Sequence, residues 1–142
     1  MTVQASVQVP VDPATAFGVF TDGLGGWWRD YYSAPDVIGI RLESGAGGRL
    51  LELETAGEGF EVGRVTVWEP GRRLALDWRQ PDWAADEATE VEVTFVPSED
   101  GTRVSLVHRG WEEVSSDPAA EEGYDEGWDD LLGMYAEAVR RG

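Results

Sequence analysis

The chain contains no cysteine. Disulfides, thiol nucleophiles and thiolate metal sites are therefore excluded together. It contains no lysine either: all 11 basic residues are arginine, so no side chain can form a Schiff base. Arginine without lysine, beside abundant Gly and Ala, suggests a GC-rich bacterial genome. There is a single histidine, His108, too few for an imidazole-based transition-metal cluster. No apolar stretch approaches the roughly 20 residues that a membrane span needs. Residues 1–4 carry neither a basic region nor an apolar leader core, so a cytoplasmic protein without membrane insertion is expected. Positive charge is scarce, with 28 acidic residues and a net charge of −17. A basic face for phosphate is missing, which argues against nucleic acid and anionic lipid as partners. The simple reading of the charge is a solvated surface; the functional reading is attraction of a basic partner.

The 142 residues are enough for one domain, 1–142, around a single hydrophobic core. Val3, Ala5, Val7 and Val9 alternate with polar residues, the period of a half-buried strand. Asp12-Pro13 reads as an N-cap followed by proline in the first helical turn, and Ala16, Phe17 and Phe20 give that short helix a buried face. Asp22-Gly23 stops it, and Trp27-Trp28 falls in a second short helix or turn. Strands follow over Val37–Leu42, with Ile38, Ile40 and Leu42 on one face, and Arg49–Glu54, with Leu51 and Leu53 inward and Glu52 and Glu54 outward. Phe60–Glu69 is a longer strand on which Trp68, opposite in parity to Val65 and Val67, faces outward. Leu74, Leu76 and Trp78 share a face of the next, and Pro81–Ala88 is an acidic loop. Val91, Val93 and Phe95 line the inner face of a strand over Thr89–Pro97, and Ser98-Glu99-Asp100-Gly101 turns the chain back. On the last strand Val104 and Leu106 face inward, and by parity so does His108.

Asp117-Pro118 repeats the helix-start signal, and the helix is expected to run to about Arg140. Tyr124, Trp128, Leu131, Leu132, Tyr135 and Val139 recur along it at helical spacing. Gly123 and Gly127 each weaken a helix by about 1 kcal/mol relative to Ala. Either the regular helix begins near Gly127 or these glycines permit close packing. Nine carboxylates lie between Glu112 and Asp130. They follow no calcium-loop spacing, and acidic residues near a helix start suit its dipole, so no metal is expected.

This order of elements resembles the START-like helix-grip superfamily, also called SRPBCC. Within it the chain is similar to the group named after activators of the heat-shock-protein ATPase. The likeness rests on Asp12-Pro13 with Phe17, Trp27-Trp28, Gly47-Gly48-Arg49, Gly63-Arg64-Val65, Pro70-Gly71-Arg72-Arg73-Leu74, Asp77-Trp78, Gly101-Thr102-Arg103, His108-Arg109-Gly110-Trp111 and Gly127-Trp128. The group commonly shows a double proline where this chain has Pro70-Gly71, and the turn survives the change. The resemblance implies an α+β helix-grip fold. A curved antiparallel sheet of about seven strands would wrap around the long C-terminal helix, with two short helices after strand one. It also implies an apolar pocket between helix and sheet, but no single activity, since the superfamily spans carriers, hormone sensors and cyclases.

The wall of such a pocket is expected to include Trp28, Trp78, His108, Trp128, Leu132 and Tyr135. Aromatic faces would supply contact area, and His108 or Tyr135 would orient a polar substituent. The first functional reading is a cytoplasmic carrier or sensor for a small apolar or aromatic molecule, with no cofactor. The second is a cyclase- or hydrolase-type enzyme using His108 as acid or base; no spacing supplies it a partner, and a hydrogen-bonded structural histidine is the simpler reading. The third is a chaperone-accessory module that meets a protein partner through the acidic helix face. Either a monomer or a homodimer fits the sequence.

Overall fold

Alternation of Val3, Ala5 and Val9 against exposed Gln4 and Ser6 makes the first strand, β1 (Val3–Val9), a half-buried one. The computed structural model describes residues 2–142. After β1 come two short helices, α1 (Pro13–Thr21) and α2 (Leu24–Trp27). Asp12 caps α1 through a bond from the Thr15 backbone N–H, with Pro13 in the first turn. Six strands follow: β2 (Val37–Leu42), β3 (Arg49–Glu54), β4 (Gly57–Glu69), β5 (Arg73–Trp78), β6 (Thr89–Ser98) and β7 (Gly101–Arg109). A short 3-10 turn at Trp111–Glu113 leads toward the final helix, α3 (Tyr124–Arg141). All pairings are antiparallel, in the spatial order β1-β7-β6-β5-β4-β3-β2. This is the α+β helix-grip arrangement, with α3 laid along β1 and the two short helices.

The side of α3 that faces the sheet carries Trp128, Leu131, Leu132, Tyr135, Ala136 and Val139 at three- and four-residue spacing. Tyr135 is fully buried, and its hydroxyl donates to the Ala16 carbonyl at 2.8 Å, tying α3 to α1. Its ring meets Phe20 and Trp27 edge-on at 5.2 and 5.5 Å. Arg140 and Arg141 in the last turn suit the helix dipole.

Four expectations from the sequence are corrected. The helix does not begin at Pro118: residues 118–123 form successive turns, and Gly123 sits at φ +84°, a left-handed conformation that breaks helical propagation. On β2, Ile38 is 66% exposed rather than sharing a face with Ile40 and Leu42. It is the extra residue of a bulge, since Val37 and Gly39 oppose the adjacent pair Glu54 and Leu53. On β3 the faces are reversed. Leu42 pairs with Leu50 and Ile40 with Glu52, so Leu50 and Glu52 lie on the inner face, and Leu51 and Leu53 on the opposite one, where Leu51 is nevertheless buried. On β4 the bulge between Val65 and Val67 flips the parity, and Trp68 packs edge-on against Phe17 at 5.2 Å instead of facing outward.

Gly63 is where β4 and β5 close in. A Cβ there would lie 1.8 Å from the Asp77 carbonyl oxygen, so only glycine allows this approach. Gly133 is the opposite case. It sits exposed in the middle of α3, and a Cβ there meets nothing within 4 Å. Gly133→Ala is therefore expected to raise unfolding stability by about 0.5–1 kcal/mol, read by urea denaturation.

Candidate functional site

The site forms where α2, the segment after it and the start of α3 meet the sheet. Trp28 ends α2 and donates its indole N–H to the Tyr31 carbonyl at 3.0 Å. Asp30 adopts φ 71°, which reverses the chain, and the Tyr32 hydroxyl donates back to the Trp28 carbonyl at 3.0 Å. Ser33 then docks on β3, donating its backbone N–H at 2.7 Å and its hydroxyl to the two carboxyl oxygens of Glu52. Residues 28–33 are thus pinned at both ends as one wall.

Across from that wall stands the first turn of α3. Tyr124 accepts from the Trp78 indole at 3.0 Å and from the Gln80 amide. Gly127 lets the helix run beneath the Tyr31 ring, whose nearest carbon would lie 3.5 Å from a Cβ at that position. The Tyr31 hydroxyl reaches Asp130 one turn further on.

Between them lies a cavity of about 300 Å³. Its floor is built by Trp28, Trp78 and Trp128, with Ile40, Val62 and Leu131. Trp28 and Trp78 lie nearly parallel at 6.2 Å, and Trp128 stands edge-on to both at 5.8 and 5.3 Å. Beneath the same three indoles is a void of about 20 Å³ lined by apolar side chains, among them Leu50, Leu74 and Leu106. The tryptophans therefore divide an outer pocket from a dry inner core. A shallower groove of about 370 Å³ beside Trp111 and Pro118 is more open to solvent and lacks such a floor.

Of the six residues expected at the wall, Trp28, Trp78 and Trp128 line the cavity. His108, Leu132 and Tyr135 are not among its lining residues; all three are buried in the core. The other lining residues escaped the sequence reading as site residues, among them Asp30, Tyr31, Tyr32, Ser33, Glu52 and Gln80. Glu52 had a signal, because pairing Leu42 with Leu50 necessarily sets Glu52 beside Ile40 on the inner face.

His108 is completely buried and boxed by Trp78, Trp111, Tyr124 and Trp128. The Trp128 indole donates to its Nδ1 at 3.0 Å, so the ring proton sits on Nε2 and is donated to Thr89 Oγ1 at 2.6 Å. Thr89 in turn donates to the Trp78 carbonyl at 3.2 Å. Every polar atom in this series from Trp128 through His108 and Thr89 to the Trp78 carbonyl is satisfied with a neutral imidazole. Burial holds the His108 pKa down to about 3. Among the described residues, no group of three or more His, Asp or Glu side chains is placed to hold a metal ion.

The fold recurs in solved structures. Protein NE0264 from Nitrosomonas europaea matches with a TM-score of 0.72 at 16% identity, covering 99% of this chain and 95% of that one. An AHSA1-like protein from Aeromonas hydrophila matches with a TM-score of 0.67 at 20% identity, covering 99% and 93%. The Aha1 dimer from Colwellia psychrerythraea matches with a TM-score of 0.68 at 19% identity, covering 98% and 96%. At these identities the likeness speaks for the fold alone. No curated protein matches the chain. The family model described as "Activator of Hsp90 ATPase homolog 1-like protein" matches residues 10–139, nearly the whole chain, and the chain belongs to that family.

Proposed function

We propose that this protein is a cytoplasmic binding domain, a carrier or sensor, for a small and largely apolar molecule held between the start of α3 and the sheet. One observation carries the reading: a cavity of about 300 Å³ floored by three tryptophans, at the small end of the range that ligand pockets occupy. The indole N–H groups are all used within the protein, so the floor presents apolar surface rather than unmet donors. The polar groups stand on the walls, at Glu52, Gln80 and Tyr124, where they can orient a substituent.

This reading is preferred over a hydrolase or cyclase using His108. An acid or base must reach the substrate, and both nitrogens of His108 are engaged by Thr89 and Trp128. The Colwellia relative is described as a dimer, so a second copy is the protein partner to test first. Light scattering separates the 15.6 kDa monomer from a dimer.

The test of the pocket is Gly127→Leu. Gly127 lines the cavity from within α3, so a leucine there occupies cavity volume while improving helix propensity. A ligand at one hundred times its Kd stabilises a native protein by about 2.7 kcal/mol. A thermal-shift screen of lipids, flavonoids and polyketide-like aromatics is expected to find such a ligand, and Gly127→Leu, which also displaces the Tyr31 ring, is expected to abolish its shift while the variant still unfolds cooperatively without ligand. A shift that persists undiminished in the variant would place the ligand elsewhere.

A further inference from the structure

The cavity is rich in acceptors and poor in donors. Its carboxyl groups are Asp30, Glu52 and Glu122, and no arginine lines it. The side-chain donors on its walls are largely spent. The Trp28, Trp78 and Trp128 indoles, the Tyr31 and Tyr32 hydroxyls and the Ser33 hydroxyl all donate to protein acceptors. The Tyr124 hydroxyl hydrogen and the second amide hydrogen of Gln80 are what remain.

Glu52 is the sharpest feature. It is 2% exposed, lines the cavity, and receives two hydrogen bonds from Ser33. It takes part in none of the ion pairs formed among the described residues. Buried carboxylates ordinarily have a cationic partner. Here the space beside it is the cavity, and aromatic rings make up much of the remaining wall. Aromatic faces attract cations through their quadrupole, most strongly for tryptophan. The net charge of −17 draws cations toward the whole molecule.

Resting on the pocket reading above, we propose that this cavity selects a small organic cation: an aryl or alkyl body carrying an ammonium group. The apolar body lies on the tryptophan floor, and the ammonium faces Glu52, with Asp30 at the rim. An anionic ligand meets carboxyl groups and spent donors, and is rejected.

The test compares three probes by NMR titration, following the indole N–H resonances of Trp28, Trp78 and Trp128. Benzyltrimethylammonium is the cation, neopentylbenzene its neutral carbon isostere, and phenylacetate the anion. The cation is expected to bind at least about tenfold more tightly than the isostere. Glu52→Gln is expected to remove most of that preference, read as the ratio of the two dissociation constants within the variant. Should Glu52→Gln fail to fold, Asp30→Asn serves, because Asp30 is exposed and asparagine tolerates its positive φ. Asp30→Asn is expected to reduce the preference severalfold. Equal or tighter binding of neopentylbenzene or phenylacetate would overturn the cation assignment and leave the apolar pocket standing. Binding of the cation unaltered in both variants would also overturn it. No binding of any probe, with the three indole resonances unmoved, would overturn the pocket reading and this inference together.

Discussion

Between pH 7 and pH 5 the protein is expected to lose about 2 kcal/mol of folding stability, and His108→Gln is expected to flatten that slope. The folded-state pKa of His108 is depressed to about 3 from an ordinary value of 6.5. Below pH 6.5 the unfolded chain takes up a proton that the folded chain refuses. Stability is therefore fully present above pH 6.5 and falls as the pH drops toward 3. The refusal has a structural source: Nδ1 already accepts from Trp128, and a proton there would set two donors face to face. No carboxyl group touches the ring to compensate; its aromatic neighbours are Trp78, Trp111, Tyr124 and Trp128. The lowered carboxyls, such as Glu43 and Glu87 at about 2, act in a separate window. They titrate at 4.5 when unfolded, so they contribute above that value and are lost only below it. Glutamine can accept from Trp128 and donate to Thr89, so the variant keeps the chain while removing the titration, at a cost of about 1–3 kcal/mol at pH 7.5. Urea denaturation at several pH values reads both numbers. An unaltered slope in His108→Gln would assign the pH dependence to other groups.

Trp128→Ala is expected to cost about 3–5 kcal/mol, a large share of the stability of a domain this size. Three losses coincide. The indole leaves a space that joins the outer cavity to the inner void, both of which it lines. Its edge-on contacts with Trp28 and Trp78 vanish. The Nδ1 of His108 loses its donor in a fully buried place. Trp128→Phe keeps most of the packing and loses only the N–H, so it is expected to cost about 1–3 kcal/mol. The difference between the two variants, from denaturant midpoints, separates packing from hydrogen bonding. A loss below about 1 kcal/mol for Trp128→Ala would mean that the three-tryptophan floor is not a structural unit.

Much of the architecture was legible in the order of residues. Period-two alternation marks β1, β6 and β7, the three-and-four spacing of Trp128, Leu131, Leu132 and Tyr135 marks α3, and Asp12-Pro13 starts α1. These are local signals, and each element can be read from its own stretch of chain. The errors fell where a neighbouring strand decides. Ile38 and Trp68 sit on or beyond bulges, and a bulge flips every later side chain without a mark of its own in the apolar pattern. The run Leu50-Leu51 admits either parity, and only its pairing with Leu42 turns Glu52 inward. The site shows the same division. Sequence alone supplied the tryptophans, because large apolar side chains belong to the interior wherever it is. It also placed His108 facing inward, which parity on one strand can do. Whether that histidine reaches a cavity depends on Trp128 and Tyr124, which come from a helix on the far side of the core and close over it. The acidic, donor-poor character of the pocket was decided later still. It arises from residues 28–33, β3 and the first turn of α3, distant stretches whose polar groups satisfy one another only once the fold brings them together.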